Sequence, residues 1–408
     1  MTDNKYGHAN RVVNAYRVGV AIDVGTTTVA VYLVDMEAGA VVATAGDINA
    51  QHIYGADVTS RIRYSSDNGH EKLTQVIREQ LSLMIKKVCE SADINPELIK
   101  NIIIAANTVM QHIVADFSPV SLGKAPFTPV SLFGGDLPVW EGLPIAKNAA
   151  VYYTPAVSAY VGGDITAGLL AADFEDIDKS ALFIDIGTNG EIVLKHNDLY
   201  YCCATAAGPA FEGAEITKGM AATNGAIDHV WQDSNGKIGF SVIGGGAPKG
   251  FCGSGLLDLL AALLDMGVVD KTGRLLGKDR FYLNKNSDIY ITAQDIRKLQ
   301  LAKAAIAAGI EVLLHFAGIP ESNISLLALA GGFGSYMDLE SAARVGLIPK
   351  SLLPVAKVYG NTAGEGAVKT LIDKDACSRL EKIRKNCEYI ELSSISFFND
   401  KFVDQMGF

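Results

Sequence analysis

Cysteine is scarce and unpatterned in this chain. The six thiols, Cys89, Cys202, Cys203, Cys252, Cys377 and Cys387, form no C-x-x-C pair and have no histidines at zinc-ligand offsets, which argues against a zinc module and reads as reduced, mostly buried thiols. Basic patches are missing too. With 35 Lys and Arg against 45 Asp and Glu, a net charge of −10, the chain is a poor match for a nucleic-acid backbone. No apolar run is long enough to span a bilayer: the longest, around 256–269, is broken by Asp258 and Asp265. Residues 1–17 are polar and mixed in charge, without the apolar core of a signal peptide, and read as a flexible leader. These absences point to a cytoplasmic protein with neither a membrane nor a nucleic acid as partner.

What the chain does have is a duplication. Asp23-Val24-Gly25-Thr26-Thr27-Thr28 and Asp185-Ile186-Gly187-Thr188-Asn189-Gly190 each follow an apolar, strand-like run. In each copy the strand ends on an Asp, and a Gly-Thr turn leads into a second β-rich run. Such a hairpin gathers backbone N–H groups and hydroxyls beside a carboxylate. A polyphosphate needs those donors, and its Mg²⁺ needs the carboxylate, directly or through water. One copy alone would pass as an ordinary turn; two, far apart, each after a buried strand, are hard to explain that way.

A length of 408 residues, 49% hydrophobic and 20% charged, suits two domains with ample cores. After the first hairpin come a β-rich run to Thr44, a polar segment at 54–57, an amphipathic helix over 71–91 and a buried strand over 101–106. The Pro-, Gly- and Phe-rich stretch 118–144 reads as an irregular excursion. A strand at 151–155 and a small-residue helix opened by Gly162-Gly163-Asp164 complete the first half. The acidic stretch 173–179 is the natural boundary. The second half begins again with strands at 181–187, 191–195 and 198–204. Gly244-Gly245-Gly246 reads as a turn or hinge, and Gly253-Ser254-Gly255 opens a helix to Met266. A small β-containing insertion follows at 270–292, then a long amphipathic helix over 293–317 and a buried strand, 325–330, ending in Gly331-Gly332-Phe333-Gly334. The expected domains are therefore a leader (1–17), lobe I (18–175), lobe II (176–350) and a closing segment (351–408). The pattern predicts an α/β fold of mixed sheets covered by helices, two-lobed, with the ligand in a cleft at the carboxyl ends of strands.

The two hairpins, the Ala328 to Gly334 segment and the small-residue helices at 162–171 and 362–370 together resemble the actin, sugar-kinase and Hsp70 ATPase superfamily, built on duplicated RNase H-like domains. The resemblance implies two phosphate loops, an adenosine loop whose glycines let the nucleotide approach the backbone, and two crossing helices. Within it, Tyr54 to Ile62, Ala207 to Gly213 and Gly250 to Gly255 resemble the ATPase region of the reductive activators of corrinoid proteins, over nearly all of 18–408.

That resemblance implies ATP or ADP with Mg²⁺, and an ATPase that drives one-electron reduction of a Co(II) corrinoid protein to Co(I) for anaerobic methyl transfer. It also implies a homodimer and a low-potential electron donor. The family's iron–sulfur domain has a cysteine cluster, and no cysteine precedes Val18; the electrons are expected from a domain outside this sequence or from a separate donor. Asp23 and Asp185 are the expected Mg²⁺-organising carboxylates. Gly25, Thr26, Thr27, Thr28, Gly187, Thr188 and Asn189 would give phosphate contacts. Asp164 would orient water or metal, or simply cap its helix, and Glu191 has a similar claim. Gly208, Gly213 and Glu215 resemble phosphate or ribose contacts; Gln300 and Lys303 resemble adenine contacts or form a solvated face. Gly253 and Ser254 open a helix that could receive phosphate or adenine, and Gly331, Gly332 and Phe333 belong to the adenosine loop.

Two enzyme alternatives remain open at this level: a small-molecule kinase of the same fold, and a dimeric activator of the 2-hydroxyacyl-CoA dehydratase type. The latter would hold a [4Fe–4S] cluster through thiols such as Cys202, Cys203 and Cys252. A filament-forming actin-like scaffold is weakened by the want of an amphipathic membrane tail.

Overall fold

The computed structural model describes residues 17–213, 215–233, 236–277, 279–283, 288–334 and 336–408. The chain forms two compact units. One holds the described residues up to Asp176 together with Asn361–Cys387; the other holds Ile177–Gly360 and Glu388–Phe408.

The first unit is built on a six-stranded sheet of β1 (Val18–Val24), β2 (Thr28–Asp35), β3 (Ala40–Ile48), β4 (Asn101–Ala106), β5 (Gly135–Leu137) and β6 (Ala150–Tyr153), in the order β3-β2-β1-β4-β6-β5. β1, β2 and β3 run as an antiparallel meander, and β4 and β6 then add in parallel. The central strand is apolar on both sides because both faces are covered. On one face lies α2 (Glu71–Ser91), whose Leu73, Ile77, Leu81, Met84, Ile85 and Val88 recur at helical spacing and join the core of β1 and β4. The other face carries α4 (Gly163–Ala171) and α9 (Thr362–Ile372), whose small residues pack on Ala21, Val34, Ile103 and Ala105. These two helices cross backbone to backbone: a Cβ on Gly366 would stand 2.0 Å from the Ala167 carbonyl oxygen.

Three helices of this unit have no counterpart in the sequence-based expectation: one over Ala376–Lys385, and two that shape the first hairpin's surroundings. α1 (Val58–Asn68) opens with a capping box in which Asp57 accepts from Ser60 N and the Ser60 hydroxyl receives Asp57 N; the D-x-x-S signal starts at the last residue of the polar segment 54–57. α3 (Thr108–Ala115) starts directly from β4 through the Asn107 cap. The 118–144 excursion is mostly irregular as expected, and a buried imidazole anchors it. His112 Nδ1–H donates to Thr108 O at 2.7 Å, while Nε2 accepts from Val130 N at 3.0 Å and Ser131 N at 3.4 Å.

The second unit repeats the design. β7 (Ser180–Ile186), β8 (Gly190–His196) and β9 (Leu199–Thr205) form an antiparallel meander, and β15 (Ile324–Ala330) and β16 (Ala356–Gly360) add in parallel beside β7. The order β16-β15-β7-β8-β9, extended at its edge by β17 (Cys387–Tyr389), matches β6-β4-β1-β2-β3. Its core is filled by α5 (Gly253–Asp265), α6 (Ala293–Ala317) and α8 (Leu339–Val345). α6 is long and apolar enough to cross a membrane, but 78% of its apolar window is buried here, so it is a core helix. The insertion at 270–292 contains a short hairpin of β13 (Arg280–Tyr282) and β14 (Tyr290–Thr292); part of it, 278 and 284–287, lies outside the described residues. A second small sheet, β10 (Ala226–Gln232), β11 (Ile238–Val242) and β12 (Gly250–Phe251), precedes α5.

His112 yields a test of the first unit. Burial lowers its pKa below the usual 6.5, so the folded state favours the neutral ring. That contribution is fully present above the unfolded-state value near 6.5 and is lost as pH falls below it. The melting temperature should drop between pH 7.5 and 5, and His112→Gln should flatten that drop in thermal denaturation; an unchanged slope would remove His112 as its source.

Candidate functional site

Each unit presents one of the duplicated hairpins, and the two are built from different chemistry. In the first, β1 ends on Asp23 and the chain turns so tightly at Gly25 that a Cβ there would lie 2.8 Å from Thr28 O. Every carbonyl of the turn is held from the protein side: Asn49 Nδ2 donates to Gly25 O (2.8 Å), Arg61 Nη2 to Thr26 O (2.7 Å) and Asn49 N to Thr27 O (2.9 Å). In a planar trans peptide the N–H that follows a carbonyl points the opposite way. Holding the Gly25 and Thr26 carbonyls inward therefore directs the Thr26 and Thr27 amides outward, the arrangement of an anion-binding nest.

Three asparagines that sequence reasoning missed make this grip. Asn49, Asn107 and Asn361 are each the N-cap of a helical element, with Oδ1 accepting from Gln51 N, Met110 N and Gly364 N respectively. Each then uses Nδ2 on the hairpin, to Gly25 O at 2.8 Å, Thr26 Oγ1 at 3.0 Å and Asp23 Oδ2 at 2.8 Å. Asparagine is the one strong N-cap side chain that can also donate from its other end, which was the available signal. Asp23 is only partly exposed, and burial of its carboxyl pushes the pKa up to about 6 despite the Asn361 hydrogen bond. Asp164 lies in the first turn of α4, with Oδ1 accepting from Ile165 N. The start of this helix is pressed against Asn107, since a Cβ on Gly162 would be 2.5 Å from Asn107 Cα.

The second hairpin is rich in carboxylates. Asp185 and Glu191 are direct cross-strand partners on β7 and β8, so their side chains share one face of the sheet, a like-charge pairing that a cation relieves. Gly187 N closes the turn on Asn189 O at 3.0 Å, and Thr188 Oγ1 donates to Glu212 Oε1 at 3.0 Å. Glu212, which sequence reasoning did not single out, thus joins the site through the Ala207 to Gly213 segment. Behind the hairpin, Gly331 adopts a left-handed φ of +88°, and a Cβ there would strike Asp185 Oδ1 at 2.5 Å. Gly331–Gly334 forms one helical turn rather than an open loop. Gly332 is exposed with open space where a side chain would be, whereas the Phe333 ring is buried and stacked on Phe211 at 5.1 Å.

Gly253 is locked into the same assembly: a Cβ would fall 1.7 Å from Phe211 O. Ser254, in the same first turn of α5, donates to Asp228 O at 2.8 Å. Gly208 and Gly213 take positive φ around the short helix 209–212, and Glu215 does the same beyond it. Gln300 and Lys303 are buried, and their side chains bond to backbone carbonyls rather than forming a solvated face. Gln300 Nε2 donates to Thr272 O and Met406 O, and Lys303 Nζ donates to Gly407 O. The thiols of Cys202, Cys203 and Cys252 are all buried; Cys252 Sγ contacts Ile227 O at 3.3 Å and Cys202 Sγ contacts Glu388 O at 3.6 Å. Among the described residues no three His, Cys, Asp or Glu form a ready-made metal cage.

A meander followed by parallel strands, occurring twice with an Asp-Gly-Thr hairpin between the first two strands each time, defines a protein of the ASKHA class, the fold of actin, sugar kinases and Hsp70. The chain belongs to the RACo family of corrinoid reductive activators: residues 179–408 match the model of the C-terminal ASKHA domain of RACo, and residues 18–177 match the RACo middle region. It is 38% identical over 418 residues to the corrinoid activation enzyme RamQ of Eubacterium limosum, covering 95% of this chain and 69% of that protein. It is 25% identical to the [Co(II) methylated amine-specific corrinoid protein] reductase of Methanosarcina barkeri, covering 96% and 77%. A solved reductive activator for a corrinoid, iron–sulfur protein superimposes with a TM-score of 0.86 at 38% identity, over 97% of this chain and 66% of that one. The chain thus spans about two thirds of that structure's length.

Two substitutions separate capping from grip. Asn107→Asp keeps the cap of α3 but removes the donor to Thr26, so the melting temperature should stay within ~2 °C while nucleotide affinity falls severalfold by calorimetry. Asp23→Asn should raise the melting temperature at pH 8. A carboxyl whose pKa rises from 3.8 to about 6 on folding destabilises once pH climbs past those values, so the advantage of the amide should shrink toward pH 4.

Proposed function

We propose that this chain is the ATP-binding and ATP-hydrolysing part of a reductive activator that returns a Co(II) corrinoid protein to Co(I). The observation that carries this reading is the pair of hairpins, one with its carbonyls held inward and amides outward, the other with Asp185 and Glu191 side by side. Amides and hydroxyls suit phosphate oxygens. Carboxylates that do not form a closed cage suit Mg²⁺, which keeps several of its waters and is held by one or two carboxylates plus phosphate. Thr26, Thr27, Thr188 and Asn189 would contact phosphate, and Asp23, Asp185 and Glu191 would organise the metal and the attacking water. Gly332, with open space beside its backbone, offers an approach for the adenosine.

Family membership supplies the target. Hydrolysis would change the geometry of the protein, and that change would alter the coordination of the partner's cobalt, or the lifetime of the complex, so that a low-potential electron can be accepted. The electron would come from an iron–sulfur centre on another domain or a separate donor. A homodimer in the cytoplasm completes the reading. Cys202, Cys203 and Cys252 are buried, and Cys202 and Cys252 contact different backbone carbonyls, which gives the intersubunit cluster alternative no support.

The test is anaerobic ATPase activity with and without a corrinoid methyl-transfer protein, with sugars and small acids as competing acceptors. Stimulation by the corrinoid protein is expected; stoichiometric phosphorylation of an acceptor without it would make the protein a kinase. Asp185→Ala should lower turnover by at least ~100-fold with folding intact; normal turnover would remove the second hairpin from the reading.

A further inference from the structure

Neither hairpin turn, 23–28 or 185–191, contains a lysine or arginine, yet a cation lies directly beneath the first one. Arg61, on α1, is completely buried. Its Nε donates to Gly55 O at 3.1 Å, Nη1 to Gln51 Oε1 at 3.2 Å, and Nη2 to Thr26 O at 2.7 Å, while Nη1 also meets Met110 Sδ at 3.1 Å. Among the described residues no carboxylate accepts a hydrogen bond from it; Asp57, whose charge favours its protonation, spends its side chain on the α1 cap. Burial lowers the guanidinium pKa only to about 10, so it is charged at neutral pH.

A buried cation without a paired carboxylate is costly. The same charge is useful if an anion arrives on the far side of the peptide it holds. Nη2 fixes the Thr26 carbonyl, and peptide planarity turns the Thr27 amide toward the opposite side. The guanidinium is thereby one peptide unit behind the outward-facing amides, in a medium of low dielectric where its field is weakly screened. A mainly structural tie needs no charge: a neutral donor would hold Thr26 O as well and would cost less to bury.

We infer that Arg61 is a positioning residue for the first hairpin whose buried charge selects for phosphate, supplying from behind the cation that the hairpin lacks at its surface. The inference rests on the phosphate-site reading above. It separates two effects: orientation of the turn, which any donor to Thr26 O supplies, and attraction for the negative charge of a nucleotide, which only a cation supplies. The attraction should grow with the number of phosphates and weaken with salt, as charge–charge interactions do.

The test is calorimetric titration of adenosine, AMP, ADP and ATP, the last two with Mg²⁺, into wild type, Arg61→Lys and Arg61→Met at two ionic strengths. The expected result is an ATP and ADP affinity about tenfold or more lower in Arg61→Met, adenosine within about twofold of wild type, a flatter salt dependence, and substantial recovery in Arg61→Lys. A folded Arg61→Met protein that binds ATP like wild type overturns the inference, as does equal loss for adenosine and ATP. If Arg61→Met does not fold, Arg61→Lys decides: it should keep wild-type preference for ATP over adenosine within about threefold, and loss of that preference with the charge retained counts against the proposal. Wild-type protein that binds no nucleotide overturns the phosphate-site reading and this inference with it; wild-type binding with unchanged Arg61→Met binding overturns the inference alone.

Discussion

The first hairpin depends on a single constraint: a peptide carbonyl and the following N–H cannot face the same way. Once Asn49 and Arg61 draw the Gly25 and Thr26 carbonyls inward, the outward amides follow without further design. The helices around the turn contribute chiefly as mounts. Three of them begin at an asparagine whose oxygen serves the helix and whose nitrogen serves the hairpin. Helix starts and turn geometry are therefore carried by the same three side chains.

The duplication is one of architecture more than of chemistry. Both units carry the meander and parallel strands in corresponding order, but the first hairpin is backed by amides and a guanidinium, whereas the second gathers Asp185, Glu191 and Glu212. A nucleoside triphosphate bound to a divalent metal has both kinds of surface, anionic oxygens and a hard cation. Under the proposed function, the same backbone plan, supplied with different side chains, would offer a partner for each.

Much of this was legible in the sequence. The hairpins, the α2 and α6 helices and the β7–β9 meander lie within a residue or two of their expected places, because long periodic segments and buried strands report directly on the core. α1 and α3 went unread because they are short and their cap signals sit among loop-like residues. The supporting residues are harder in kind. Asn107 and Asn361 lie 81 and 338 positions from the groups they hold, and Arg61 is hidden under a turn it does not neighbour in sequence. Gln300 and Lys303 illustrate the converse: read as adenine contacts or as a solvated face, they are buried on the carbonyls of residues 406 and 407.

The bond from Asn361 to Asp23 also has a history in the life of each molecule. The first unit takes its last helices from residues that follow nearly all of the second unit. During synthesis the Asp23 carboxyl must wait for 338 residues before its partner leaves the ribosome, roughly 20 to 70 s at ordinary translation rates. Over that interval the second unit can complete most of its sheet, while the first has neither α9 on its exposed sheet face nor the amide that holds Asp23. The order of manufacture thus leaves the first hairpin unfinished until Asn361 has emerged, and a nascent protein cannot use it before then.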